Sequence, residues 1–247
     1  MRAARPICLL AALAWSALGM AARLAPLRVA VGLSLPPYVI RERGAGLEYE
    51  QVAEALRRAG YAMQPVYVAY GQIGAVLDSR RVDAAMTLNP ASGVAAHYSR
   101  PVVSYTDYAI TLKRRAIVVK RPDDLLGYSV LAFQNARVEL GPAYAEMARR
   151  HQRYGETGQQ VLQVKLLYSG KVDVVVSDRM IFNYYRDWLA AEMDVVEPLD
   201  YQQLFPPIDY SVAFRDAPVR DRFDAALEAM RRDGSLERIR AAYRRYF

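Results

Sequence analysis

The sequence predicts an α/β protein made of two similar lobes. Three observations carry that expectation. Short apolar runs of strand type alternate with stretches of helical periodicity, the pattern of parallel α/β architecture. Two short patterns recur, once in each half of the chain. The 247 residues, 53% of them hydrophobic, can bury a substantial core, and no Gly/Ser linker divides them.

The N-terminus reads as an address. Arg2 and Arg5 precede an apolar run from Ile7 to Trp15, and small residues follow at Gly19, Ala21 and Ala22. This is the order of a secretory signal peptide, here 1–22, with Gly19 and Ala21 suiting the cleavage site. The run is short for a membrane span, which needs about 20 residues, although an uncleaved anchor is the alternative. A bacterial-type signal of this kind directs the chain to the periplasm. Cys8, the single cysteine, lies inside the run, so the mature chain would hold no disulfide.

Beyond it, Leu27 to Val31 reads as a strand ending at Gly32. Gly46 precedes a helix carrying Val52, Ala55, Leu56 and Ala59 on one face, and Gly60 stops it. Val66 to Val68 is a second strand, Ile73 to Leu77 a short helix, and Val82 to Leu88 a third strand. Near the C-terminus Phe223, Leu227 and Met230 form a helical stripe broken by Gly234. Ser235 is placed to cap a last helix in which Leu236, Ile239, Tyr243 and Phe247 form a core-facing row.

The recurring patterns are L-x-S-x-(K/R)-V-D, at Leu77 to Asp83 and at Leu167 to Asp173, and a strand opening on Asp-Tyr, at Asp107 and at Asp209. Either pair alone arises easily by coincidence; together they suggest two similar lobes, with the Asp-Tyr strands as crossings.

Composition excludes several functions. One cysteine excludes a Cys-rich metal site and two histidines leave little for a His-based centre, and no motif implies a cofactor. The formal charge of +7 raises nucleic acid as a partner, but the arginines sit in scattered pairs such as Arg57-Arg58 and Arg231-Arg232, interleaved with acids. Export argues against it too.

The ordered fragments resemble the family 3 periplasmic solute-binding proteins, the polar amino acid receptors of ABC importers. They are Pro36-Pro37-Tyr38 after the first strand, Gly46-Leu47-Glu48-Tyr49-Glu50, Leu77-x-Ser79-x-x-Val82-Asp83 and Tyr98-Ser99-Arg100-Pro101. Val172-Asp173 through Asp178, Tyr210 to Arg215, and Met230-x-x-x-Gly234-Ser235-Leu236 complete the match. The resemblance implies the two-lobed periplasmic binding protein fold (type II), each lobe a mixed sheet flanked by helices, joined by two hinge strands. Lobe one would comprise 24–108 and 213–247, and lobe two 109–212. It implies a monomer that closes over a small polar solute, with an inner-membrane ABC permease or a sensor protein as partner and no enzymatic activity.

In the family an aromatic side chain, an arginine and an aspartate hold an amino acid. Asp178 stands at the ammonium-binding position; a helix N-cap is the other role open to an Asp there. Tyr70 matches a stacking aromatic, or is a half-buried surface residue. Tyr38 follows the Pro-Pro turn, although the second stacking aromatic falls nearer Leu35. The carboxylate-binding arginine falls on Ser92, in a segment about three residues short, so a standard α-amino acid ligand is in question. Thr87, Asn89 and Ser92 remain as hydrogen-bonding candidates. Arg137, near a helix start, either replaces the lost charge or is solvated. An enzyme on this fold, such as a dehydratase of prephenate-like acids, would need a positioned acid or base; Glu139, His97 and Asp178 are the candidates, and no catalytic motif links them.

Overall fold

The computed structural model describes residues 24–247. The predicted signal segment and Cys8 lie outside the described residues. Strand β1 (Ala25–Gly32) enters the interior at its second half, where Val29, Ala30 and Val31 are fully buried. A turn containing a cis Pro36–Pro37 bond leads to helix α1 (Leu47–Arg58). The glycine at its N-terminus is obligatory: Gly46 has φ +128°, and a Cβ there would lie 2.3 Å from the Tyr38 carbonyl oxygen. Val52, Ala55 and Leu56 are buried as expected.

Strand β2 (Tyr61–Val68) is longer than predicted, because it lies at the sheet edge, where Pro65 interrupts no ladder on its open side. Helix α2 (Ile73–Asp78), β3 (Ala84–Leu88), β4 (His97–Tyr98) and β5 (Val103–Tyr105) follow. The chain then passes into a second sheet with β6 (Asp107–Leu112) and β7 (Val130–Phe133). Next come α3 (Ala136–Glu139), α4 (Pro142–Arg150), β8 (Tyr154–Thr157), α5 (Gln160–Tyr168), β9 (Val174–Asp178), α6 (Arg179–Leu189) and β10 (Leu199–Gln203). Strand β11 (Ile208–Phe214) returns to the first sheet, and α7 (Ala217–Arg232) and α8 (Ser235–Ala242) close the chain.

The first sheet has the order β2-β1-β3-β11-β4, with β5 also on β11; the second has the order β10-β6-β9-β7-β8. In each, parallel strands occupy one side and an antiparallel strand arriving from the other sheet completes the ladder. Sheet membership changes between Tyr105 and Asp107, and again between Gln203 and Ile208.

The recurring L-x-S-x-(K/R)-V-D pattern does the same work twice. Each copy ends a helix on a residue of positive φ, Arg80 at 59° and Gly170 at 72°, and enters a buried strand. The Asp83 carboxylate accepts the Arg28 N–H at 3.0 Å, while its own N–H donates to the Arg28 carbonyl at 2.8 Å. Asp173 repeats this with Ser129, at 2.8 and 3.0 Å. The aspartate thus fastens the start of its strand to the neighbouring parallel strand in both sheets.

Apolar clusters line both faces of each sheet, built around Val29, Leu56 and Phe223, and around Ile73 and Leu77, in the first. Those of the second centre on Tyr144 and Met147, and on Val164 and Phe182. A further cluster joins the two halves: Met180 and Ile181 at the start of α6 pack with Tyr38, Tyr105, Tyr243 and Tyr246.

Two expectations near the C-terminus are corrected. Gly234, not Ser235, is the N-cap of α8; the Ser235 hydroxyl accepts from Arg58 and Arg238, while Asp233 accepts the Ser235 N–H. Phe247 lies 36% exposed beneath the Arg240 guanidinium, 4.5 Å from its ring centre, rather than in the core. His151, after α4, is buried, with its Nε2 on the Leu125 carbonyl and its Nδ1 accepting the Arg153 N–H.

Candidate functional site

Ligands of α/β proteins collect where strands end at their carboxyl edges, because backbone groups and helix starts are free there. In the first sheet that edge carries Gly32, the Tyr70 turn after β2, and Thr87 in β3. In the second it carries Asn135 after β7 and Asp178 at the end of β9. The crossing strands bring Asp107 and Tyr210 to the same region, since β6 and β11 run antiparallel to their neighbours.

Thr87 has φ +57°, an unusual conformation for a β-branched residue. It is buried, and its hydroxyl donates to Glu48 Oε1 at 2.8 Å. Glu48, 1% exposed, accepts the Tyr105 hydroxyl on its other oxygen at 3.0 Å. Burial pushes the Glu48 carboxyl up to about 7, against the pull of those two hydrogen bonds. Thr87 therefore belongs to the support of the site, holding an acid that sequence reasoning missed.

Tyr38 is 1% exposed and stacks on Tyr105 with ring centres 3.9 Å apart. Its ring is not free to stack on a solute, which corrects the expectation. Its hydroxyl donates to Asp178 Oδ2 at 3.1 Å. Asp178 is the N-cap of α6: Oδ1 accepts the N–H groups of Met180 and Ile181, and Oδ2 also accepts the Thr106 N–H at 2.9 Å. Of the two candidate roles the N-cap is the one seen, and four donors from the chain surround the carboxylate. Burial raises it to about 6 despite them.

Asp107 stands directly opposite Asp178 in the β6–β9 ladder. It is 8% exposed, and its carboxylate has no hydrogen-bond partner among the described residues. Burial, then the charges of Asp178 and Glu139, hold it well above the usual carboxylate range. Glu139 lies exposed on α3. Tyr70, 46% exposed, lays its ring beside Gly32, where a Cβ would stand 3.3 Å from Tyr70 Cδ2. Its hydroxyl is raised by burial and by Tyr210, Glu48 and Glu139. Tyr210, tilted over Tyr105 at 4.9 Å, is pushed up to about 12 by burial and Glu139.

The other candidates are engaged locally. The Ser92 hydroxyl donates to the Asn89 carbonyl at 2.6 Å and meets the Tyr98 hydroxyl at 3.0 Å, closing its own turn. The Asn89 amide reaches the Asp209 carbonyl at 3.5 Å. Arg137 is corrected as an anion clamp. Glu156 accepts its Nε at 3.2 Å together with the N–H groups of Asn135 and Arg137, so an internal carboxylate fills that position. Arg100, on the surface, pairs with Glu228.

What remains around the edge is acidic and tyrosine-rich. Among the described residues no Lys or Arg pairs with Glu48, Asp107 or Asp178. Asp107 and Glu48 carried one sequence signal, a charge flanked by apolar residues within a strand or at a helix start. Tyr105 and Tyr210 carried none beyond their place beside the crossings.

The sequence matches the model for the bacterial extracellular solute-binding proteins, family 3, over residues 27–246. No curated protein matches it. Solved structures share the fold at low identity. An ancestral arginine-binding protein bound to glutamine superposes with a TM-score of 0.68 at 20% identity, covering 90% of this chain and 98% of that one. A histidine kinase sensor domain with similarity to periplasmic binding proteins gives 0.68 at 21%, covering 90% and 96%. The arginine-, lysine-, histidine-binding protein ArtJ of Geobacillus stearothermophilus gives 0.66 at 18%, covering 90% and 95%.

Proposed function

The chain belongs to the bacterial extracellular solute-binding proteins, family 3, and from that premise we propose that it captures a small polar solute by closing two lobes and delivers it to an inner-membrane ABC permease. It does so in the periplasm, as a monomer released from its signal peptide. The lobes are 24–105 with 208–247, and 107–203, hinged where the chain passes between the sheets; the boundaries expected at 108 and 212 shift because β6 and β11 each lie whole in one sheet. The observation that carries the reading is the link between the two sides at their carboxyl edges, where the Tyr38 hydroxyl donates to Asp178 Oδ2 at 3.1 Å. Only a solute touched by both lobes favours the closed state.

The solute is not a standard α-amino acid. Ser92 stands where the family's carboxylate-binding arginine falls, and Arg137 is held by Glu156. The test is small-angle scattering with thermal shift against amino acids, polyamines, opines and organic acids. A bound solute contracts the particle and raises Tm; a large shift with ordinary L-amino acids alone would sink the reading.

A ligand-sensing role is the second reading, favoured by the likeness to a histidine kinase sensor domain. It differs in partner: pull-down with membranes, with and without solute, identifies a permease or a kinase.

A further inference from the structure

We propose that Asp107 is the principal contact of the solute, and that the solute is a small organic cation lacking an α-carboxylate, held between Asp107 and Glu139 against the tyrosines at 70 and 210. The inference rests on the solute-binding reading above and adds the chemistry of the ligand.

Among the described residues Asp107 is the buried carboxylate of this region without a hydrogen-bond counterpart. Asp178, directly opposite in the ladder, is surrounded by four donors. Glu48 has two. Asp107 has none among the described residues, although it is 8% exposed. The hydroxyl of Tyr144, whose own titration responds to Asp107, is likewise buried without a partner. A buried carboxylate without donors or a counter-charge is costly. It becomes favourable once a cation with N–H donors sits beside it.

The surroundings suit a cation and reject an anion. Glu139 adds a second negative group from α3, which follows a strand of the second sheet, whereas Tyr70 follows a strand of the first. Tyrosine faces attract cations through the ring quadrupole, and Tyr70 and Tyr210 both stand near Glu139. A carboxylate on the solute would meet Asp107, Asp178 and Glu48, and among the described residues no arginine pairs with any of the three. The one guanidinium expected to do so, that of Arg137, is committed to Glu156 at 3.2 Å.

Isothermal titration of the purified chain tests this with agmatine, putrescine and spermidine as cations without an α-carboxylate. L-Arginine serves as the carboxylate-bearing counterpart of agmatine, and succinate as an anion. At least one of the three amines is expected to bind, agmatine at least tenfold more tightly than L-arginine, and succinate not at all. Asp107→Asn is expected to lose at least tenfold in amine affinity while melting no lower than the parent, because it replaces a buried carboxyl that has no hydrogen-bond partner among the described residues. Glu139→Gln, at an exposed position, is expected to lose less. Amine binding unchanged in Asp107→Asn, or no amine binding at millimolar concentration, overturns the assignment. If L-arginine or succinate then contracts the particle in scattering, solute capture still stands and only the cation assignment falls. If no solute contracts it, both fall.

Discussion

The Tyr38 hydroxyl donates to Asp178 Oδ2 across 3.1 Å, and the bond links the turn after the first strand of one sheet to the last residue of a strand in the other. A hydrogen bond to a charged acceptor in a buried place is worth about 1.5–3 kcal/mol. Tyr38→Phe keeps the ring stacked on Tyr105 and removes only that bond. The variant is expected to lose about 2 kcal/mol in urea unfolding, and to show a larger radius of gyration without solute. An unchanged unfolding midpoint would mean that water replaces the hydroxyl without loss.

The raised carboxyls set the pH dependence. Glu48 titrates near 7 when folded, against its ordinary 4.5, so between those values the folded chain holds a proton that the unfolded chain has released. Stability is therefore full below about 4.5 and falls as pH rises through 7, by about 3 kcal/mol for this group. Asp178, moved from 3.8 to about 6, acts with the same sign. The solute-free protein is expected to melt lower at pH 8 than at pH 5, and Glu48→Gln to flatten that slope. A Tm that climbs over the same range has the wrong sign for this account.

Arg137→Ala separates an anion clamp from a local tie. Its guanidinium side chain is 60% exposed and pairs with Glu156, which the backbone N–H groups continue to hold. Exposed pairs contribute about 0–1 kcal/mol. The variant is expected to stay within about 1 kcal/mol of the parent and to bind its solute unchanged; a tenfold loss of affinity would return Arg137 to the site.

Gly46→Ala probes the entry to α1. The backbone is at φ +128°, and the new methyl would press on the Tyr38 carbonyl at 2.3 Å. A strained conformation of this type costs on the order of 1–3 kcal/mol before any clash. The expected loss is at least about 3 kcal/mol, read as a lowered Tm or as failure to accumulate soluble protein.

Much of the fold was legible because local pattern and tertiary role coincide. Val29 to Val31 form a buried strand and look like one, and the Phe223, Leu227, Met230 row lies in the core. The L-x-S-x-(K/R)-V-D pattern was visible as a repeat, though not its purpose, since the bond from Asp83 to Arg28 joins residues far apart in the chain. The site was less legible for the same reason. Asp107 is unusual only because Asp178 lies opposite and nothing donates to it, facts of register and burial. Tyr38 looked like an aromatic wall, but Tyr105 and Asp178 claim both its ring and its hydroxyl. Arg137 looked like a free cation because Glu156, on strand β8, was out of view.

The second sheet is built from one uninterrupted stretch, and its first and last strands lie side by side, Tyr108 opposite Gln203. Its two ends therefore leave and re-enter the first sheet almost at a point. Such a segment is a cassette: it can be replaced whole by a counterpart of different length, so long as the two entry strands stay paired. Half of the solute contacts would change in one exchange, while the outer surface of the other half, and whatever docks there, stays as it was.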